Sequence, residues 1–160
     1  MQIERLFLNS SNAPDVWGLI SEVASLDLSF PAKALGYFGK MFDVSSGELN
    51  EKTQPPMFIA KEGLGINGVL VGAGVEGGVG TIIWLVVSPV CRGKGIGKAL
   101  FERACDEYRS LGAHKVKLTV PTQEAVKFYE NMGMEVEGYH PAHWWGLDFW
   151  SLGKLLNNKS

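Results

Sequence analysis

Cysteine is scarce in this chain: Cys91 and Cys105 are the only two in 160 residues. Two thiols with no CxxC spacing and no His-rich context build neither a disulfide framework nor a zinc site, so a reduced protein without a metal is expected. Long apolar runs are missing too. None approaches the ~20 residues needed to cross a bilayer, and no charged-then-apolar leader opens the chain, so the expected compartment is the cytoplasm with no membrane partner. No sign of charge dominates either. With 15 Lys and Arg against 17 Asp and Glu the net charge is −2, which gives no electrostatic footing for nucleic acid. Internal repeats and low-complexity segments are absent, and the length suits one domain over residues 1–156, with 157–160 a fraying tail.

What remains is an ordinary globular composition, 46% hydrophobic and 20% charged, with a mild asymmetry. Residues 1–80 hold 5 basic against 9 acidic side chains, and residues 81–160 hold 10 against 8. That balance suits an anionic ligand on the C-terminal half and a cationic one facing the N-terminal half.

The stretch that organises the chain runs from Trp84 to Leu100. The apolar segment Trp84-Leu85-Val86-Val87 stops at Ser88-Pro89. Gly93, Gly95 and Gly97 follow at alternate positions, and a helix-period pattern begins directly after them. A strand, loop and helix of this kind holds an anion: glycines let backbone N–H groups turn toward one point, and the helix adds its unpaired first-turn N–H groups and positive dipole end. Arg92 and Lys98 flank that point. Two familiar nucleotide loops are excluded by spacing. The third position after Gly95 is Lys98 where a dinucleotide fingerprint needs Gly or Ala, and Gly97-Lys98 is followed by Ala99, which has no hydroxyl for magnesium.

Taken in order, Gln2–Leu8 reads as a strand. Asn9-Ser10-Ser11-Asn12 supplies cap residues for a first helix with Val16, Ile20 and Val23 at helical spacing, and Leu35, Phe38 and Phe42 mark a second that ends between Asp43 and Gly47. Residues 44–56 read as a polar loop. Met57–Ala60, Ile66–Val75 and Thr81–Ser88 form three strands joined by Gly-rich turns, an antiparallel meander. Phe101, Cys105 and Tyr108 define the buried stripe of the helix after the glycine loop, so Cys105 is expected to be inert. Val116, Leu118 and Val120 alternate with Lys115, Lys117 and Thr119 as a strand. Thr122 caps a helix carrying Ala125, Phe128, Tyr129 and Met132, and Met134–Tyr139 and Leu147–Leu152 close the chain around His140-Pro141-Ala142-His143-Trp144-Trp145-Gly146.

Arg92, Gly95 and Gly97 spell RxxGxG after an apolar strand, which resembles the coenzyme A pyrophosphate loop of the GNAT superfamily of N-acyltransferases. Ala125-Val126-Lys127-Phe128-Tyr129-Glu130-Asn131-Met132-Gly133-Met134 resembles the AxxFYxxxGF segment of that family, one strand later as the family has it. Thr122 stands where many members have Asn, and Met134 replaces the usual aromatic. The resemblance runs the length of the chain. It implies a mixed α/β (α+β) single domain: a mostly antiparallel sheet, about four flanking helices, and a V-shaped split between the fourth and fifth strands.

It also implies an acetyl-CoA-dependent N-acetyltransferase acting by direct attack in a ternary complex. The pantetheine arm would pair with the backbone of Leu85, Val86 and Val87 and take a hydrogen bond from Thr122, and the pyrophosphate would rest on Arg92, Gly93, Lys94, Gly95, Ile96, Gly97 and Lys98. Tyr129 takes the place of the family's general acid. The expected strand carboxylate is missing, because Thr81–Ser88 contains no Asp or Glu. The base is then Glu76, His140, His143 or, preferred, water relayed to backbone carbonyls. The alternative is a coenzyme A-binding module without turnover. By the family architecture the acceptor, a small amine or a peptide N-terminus, meets the first two helices, the Pro55-Pro56 loop and Tyr139–Gly146. Trp84, Tyr139, His140, His143 and Trp144 are expected at its site, with Phe30, Tyr37 and Trp145 as further wall residues. The terminal strands around Trp150 offer an edge for a homodimer.

Overall fold

The computed structural model describes residues 1–43, 51–63 and 65–156. Seven strands form one sheet: β1 (Gln2–Arg5), β2 (Met57–Glu62), β3 (Gly65–Gly72), β4 (Val79–Val87), β5 (Lys115–Val120), β6 (Glu135–His140) and β7 (Phe149–Leu155). Four helices flank it among the described residues: α1 (Ala13–Leu26), α2 (Ala32–Gly39), α3 (Ile96–Ser110) and α4 (Gln123–Glu130). The order across the sheet is β1-β2-β3-β4-β5-β7-β6, antiparallel everywhere except between β4 and β5. The mixed α/β domain with its meander and four helices is as expected.

Helices cover both faces, which explains why the central strands read as continuous apolar runs instead of alternating ones. On one face Val16, Ile20, Val23 and Ala24 of α1 pack with Met57, Ile59, Val69 and Val71. On the other, Leu100, Phe101, Ala104 and Tyr108 of α3 pack with Phe58, Ala60, Leu70 and Val116. Burying an aliphatic side chain of this size stabilises by about 1.5–3 kcal/mol, and Val16, Ile20 and Leu100 are fully buried. Cys105 lies in the α3 core at 3% exposure, where burial pushes its thiol up to about 11.

Several boundaries differ from expectation. The Asn9–Asn12 residues do not cap α1 with a side chain; the Asn9 carboxamide accepts from the Ser11 and Asn12 N–H groups, and Asn12 donates to Phe7 O. Thr122 does cap α4, accepting from the Ala125 N–H at 3.2 Å. β1 ends at Arg5 and β3 at Gly72, short of Leu8 and Val75. β7 begins at Phe149 because Leu147 is held in the preceding loop, donating to Trp144 O and accepting from His143 N–H. β7 also lies between β5 and β6, so Trp150 is inside the sheet and β6, not β7, is the free edge. A Trp150 dimer edge is therefore corrected by the strand order. The expected loop over 44–56 and the tail 157–160 fall partly or wholly outside the described residues.

Candidate active site

The site begins where two parallel strands part. β4 and β5 pair only through Val79–Thr81 and Lys115–Lys117, after which each runs on, to Val87 and Val120, without pairing to the other. This is the V-shaped split. Beyond Thr81 the β4 edge facing β5 pairs with no strand among the described residues, while β3 occupies the other edge, and such an edge can take an incoming extended chain. A bulge shapes the same stretch: Val71 pairs with Trp84 and Gly72 with Ile82, leaving Ile83 without a partner residue. The extra residue exchanges the faces. Ile82 points into the α3 core, whereas Trp84 and Val86 point into the α1 core.

Tyr108 fixes the branch point from below. Its hydroxyl donates to Ala73 O at 2.7 Å and to Thr81 O at 3.0 Å, and Thr81 is the last β4 residue paired with β5. Gly72 and Gly80 leave the space for it. A Cβ on Gly80 would stand 2.3 Å from the ring, and one on Gly72 2.2 Å from the hydroxyl oxygen.

A cavity of about 610 Å³ fills the split. Its β5 and α4 side is lined by Leu118, Thr119, Val120, Pro121, Ala125 and Tyr129, and its β4 floor by Thr81, Ile82, Ile83, Trp84 and Leu85. The opposite wall is aromatic: Phe30, Tyr37, Phe38, Trp144, Trp145 and Phe149, with Leu28. Phe38 meets Trp84 at 5.0 Å and Trp145 at 5.3 Å between centroids, and Phe30 meets Trp84 at 5.8 Å. These rings come from three segments distant in sequence, around residues 30–38, at Trp84 and at residues 144–149. Two backbone positions that aim them are left-handed non-glycine residues, Ser29 at φ 55° and Trp145 at φ 54°, conformations that cost on the order of 1–3 kcal/mol and persist only where surrounding packing holds them.

Tyr129 is 6% exposed, its ring set against Phe101 and Phe128, and its hydroxyl has no hydrogen-bond partner among the described residues. Burial, as the only cause, holds its phenol protonated well above the ordinary tyrosine range.

The glycine loop lies between β4 and α3, reached through a 3-10 turn at Pro89–Cys91. Gly93 (φ 80°) and Gly95 (φ 78°) are left-handed, and a Cβ on either would meet nothing within 4 Å, so the space before the loop is open. Gly97 serves differently: its Cβ would meet Phe128 at 2.8 Å, so it lets α3 and α4 approach. The first helical bond is given by Ala99 N–H to Gly95 O at 3.0 Å, which leaves the Ile96, Gly97 and Lys98 amides at the helix start free to bind an anion. Arg92 forms an ion pair with Asp27 at the end of α1, and its Nε approaches Val87 O at 3.4 Å. Lys94 is exposed, and exposed Lys98 lies 3.9 Å from Glu102.

Of the residues expected to touch an acceptor, Trp84 and Trp144 line the cavity, as do Phe30, Tyr37 and Trp145. Tyr139, His140 and His143 do not. β7 separates β6 from the split, so Tyr139 instead donates to Asp148 at 2.9 Å and packs on Trp150, and His140 bonds Ser151 Oγ at 3.2 Å. The His143 ring meets Trp144 at 4.4 Å between centroids, tilted by 58°. Glu76 is exposed, in the turn before β4. No Asp, Glu, His, Lys or Arg is found among the described residues lining the cavity. Phe38, read from the sequence only as a helix-stripe residue, and Phe149, read only as part of the last strand, are the lining rings the sequence did not mark.

The sequence profile of the acetyltransferase (GNAT) family matches residues 28–134, the region holding the split, the glycine loop and Tyr129. The chain belongs to that family. Among its relatives, a glucosamine 6-phosphate N-acetyltransferase from Trypanosoma brucei brucei is 44% identical over 55 residues, 34% of this chain and 37% of that enzyme. The aligned stretch therefore spans little more than a third of the relative's length. The fold is shared more widely. The ribosomal-protein-S18-alanine N-acetyltransferase of Escherichia coli superposes with a TM-score of 0.74 at 18% identity, covering 99% of this chain and 97% of that one. An aminoglycoside 6'-N-acetyltransferase complexed with coenzyme A does so at 0.74 and 15% identity, covering 100% and 99%.

Proposed function

We propose that this acetyltransferase moves the acetyl group of acetyl-CoA to a primary amine by direct attack in a ternary complex, with Tyr129 as general acid. The observation that carries the reading is a buried phenol with no hydrogen-bond partner among the described residues, lining the cleft where β4 and β5 separate, with an open glycine loop following β4.

The residues present fit the donor. The amides of Gly93 to Lys98 with Arg92, Lys94 and Lys98 hold its pyrophosphate, and the free backbone edge at Leu85, Val86 and Val87 pairs with its pantetheine arm. Thr122 accepts from Ala125 N–H and so keeps its own O–H to donate to that arm. When bound, acetyl-CoA supplies an activated thioester. The chain would supply position and a proton: Tyr129 lines the cavity, and its phenol, kept protonated by burial at neutral pH, would donate to the departing thiolate. With no titratable base lining the described cavity, the amine's proton leaves through water to backbone carbonyls.

Tyr129→Phe tests the acid. The hydroxyl has no partner to lose, so folding and acetyl-CoA affinity should hold while turnover falls roughly 10²-fold. Wild-type turnover under conditions where chemistry limits the rate would remove Tyr129 from the mechanism. The missing carboxylate favours a second reading, a coenzyme A-binding module without catalysis; free thiol released from acetyl-CoA on adding amines rejects it.

A further inference from the structure

We infer that the acceptor is a small primary monoamine with an aromatic or similarly apolar body, held flat against the rings of Phe30, Phe38, Trp84 and Trp145, an inference that rests on the acetyl-transfer reading above.

The argument is from what the cavity can and cannot solvate. Its described lining carries no formal charge at all. A sugar phosphate, the acceptor named for the trypanosomal relative, would bring a dianion into a space whose described lining has no cation, and such a charge costs several kcal/mol unless paired. A polyamine or an amino sugar with several ammonium groups meets the opposite lack, because no carboxylate is there to pair them. A peptide's amide groups could pair with the open β4 edge, but that is the edge the donor's pantetheine arm takes in the reading above, and the wall opposite it is made of side-chain rings. An aryl or alkyl body loses nothing of that kind and gains both area burial and offset ring contacts. Size agrees: about 610 Å³ shared between the thioester end of the donor and the acceptor suits a small molecule.

The same wall has a chemical use. Attack requires the neutral amine, and transfer from water to an apolar surround favours the neutral form over the ammonium. A cavity without a carboxylate base is then consistent with a monoamine whose proton is lost on entry, whereas an acceptor with several charges would need its remaining charges compensated. Tyr37 is 63% exposed at the mouth and packs on Trp145 at 5.9 Å, so it completes the ring surface at the entrance.

The test compares 2-phenylethylamine and tryptamine with glucosamine 6-phosphate, spermidine and Ala- or Phe-initiated tripeptides, following thiol release. Calorimetry of the protein with acetyl-CoA, and separately with 2-phenylethylamine, accompanies it. The aryl amines should exceed the phosphate and polyamine acceptors by about 10²-fold in kcat/KM. Trp145→Ala and, should that variant fold poorly, Tyr37→Ala should raise KM for the aryl amines about tenfold while acetyl-CoA Kd stays within about twofold. Preference for the sugar phosphate, the polyamine or a tripeptide overturns the inference, as does acetyl-CoA binding with no measurable aryl amine binding. If acetyl-CoA itself fails to bind, the acetyl-transfer reading falls instead, and the calorimetry with 2-phenylethylamine alone still decides whether the cavity takes aromatic amines.

Discussion

Gly80→Ala should be one of the most damaging single-methyl insertions in this chain, and its cost can be worked out from the branch point. The new Cβ would lie 2.3 Å from Tyr108 Cδ1, 2.4 Å from Cε1 and 2.8 Å from Cγ, all far inside van der Waals contact. Tyr108 is fully buried and cannot rotate away, because its hydroxyl is bonded to Ala73 O and Thr81 O. Overpacking of this kind costs about 1–3 kcal/mol, and displacement of the ring adds the loss of the one O–H donation shared between Ala73 O and Thr81 O, about 1 kcal/mol. A loss of about 3 kcal/mol corresponds to a Tm drop of roughly 6–12 °C for a domain of this size. Tyr108→Phe is the control. Thr81 O also accepts from Ala73 N–H at 2.7 Å and stays satisfied, so that variant should lose only about 1 kcal/mol. Urea denaturation of both reads the stability, and acetyl-CoA titration of whatever Gly80→Ala protein remains folded reads the angle of the split. A Gly80→Ala stability within about 0.5 kcal/mol of the parent would refute the reasoning, since it would mean that the ring yields freely and Tyr108 does not fix where β4 leaves β5.

Gly95→Ala places a side chain at φ 78° in open space, so the melt should report a loss of about 1 kcal/mol while coenzyme A affinity falls by about tenfold or more; equal affinity would take the loop out of donor binding. Asp27→Asn releases Arg92 from its ion pair, and since both side chains are more than a third exposed the gain in coenzyme A affinity by calorimetry should be only about two- to fivefold; weaker binding would mean that Asp27 positions Arg92 instead of competing for it. The pH profile of kcat/KM should rise with pH without a histidine-type inflection near 6.5, because no His lines the described cavity. It should not descend before about pH 10, because burial raises the Tyr129 phenol and a raised pKa keeps the acid form present to higher pH. A falling limb near neutrality would assign the acid to another group.

Local features of the site were legible in the sequence because they are written in neighbouring residues. The glycines at 93 and 95 required left-handed backbone after an apolar run, Thr122 stood one position before a helix, and Tyr129 lay on the inward stripe of that helix. Features made by distant pairings were not. The bulge at Ile83 is invisible to periodicity, since exposure alternates smoothly along β4 even as the faces exchange cores. The placement of β7 between β5 and β6 is likewise a matter of pairing, and it is what carries His140 and Tyr139 away from the cleft although they sit beside Trp144 in sequence. Gly97 looked like its neighbours and is a packing glycine instead. Asp27, 65 residues from Arg92, gave no signal at all.

The bulge and the aromatic wall are two sides of one arrangement. Had β4 kept its alternation past Ile82, Trp84 would point toward α3 and Leu85 toward α1, and a one-residue exchange of this kind moves every later side chain to the other face. Trp84 would then leave Phe30 and Phe38, and the wall would lose the ring that joins the α2 segment to the sheet. The irregularity between Ile82 and Trp84 comes directly after Thr81, the last β4 residue paired with β5, so the open strand edge and the ring wall begin at one place in the strand. A glycine loop can bind an anion on many folds; it is this register that puts a free strand edge, a buried phenol and a ring-lined pocket around one point.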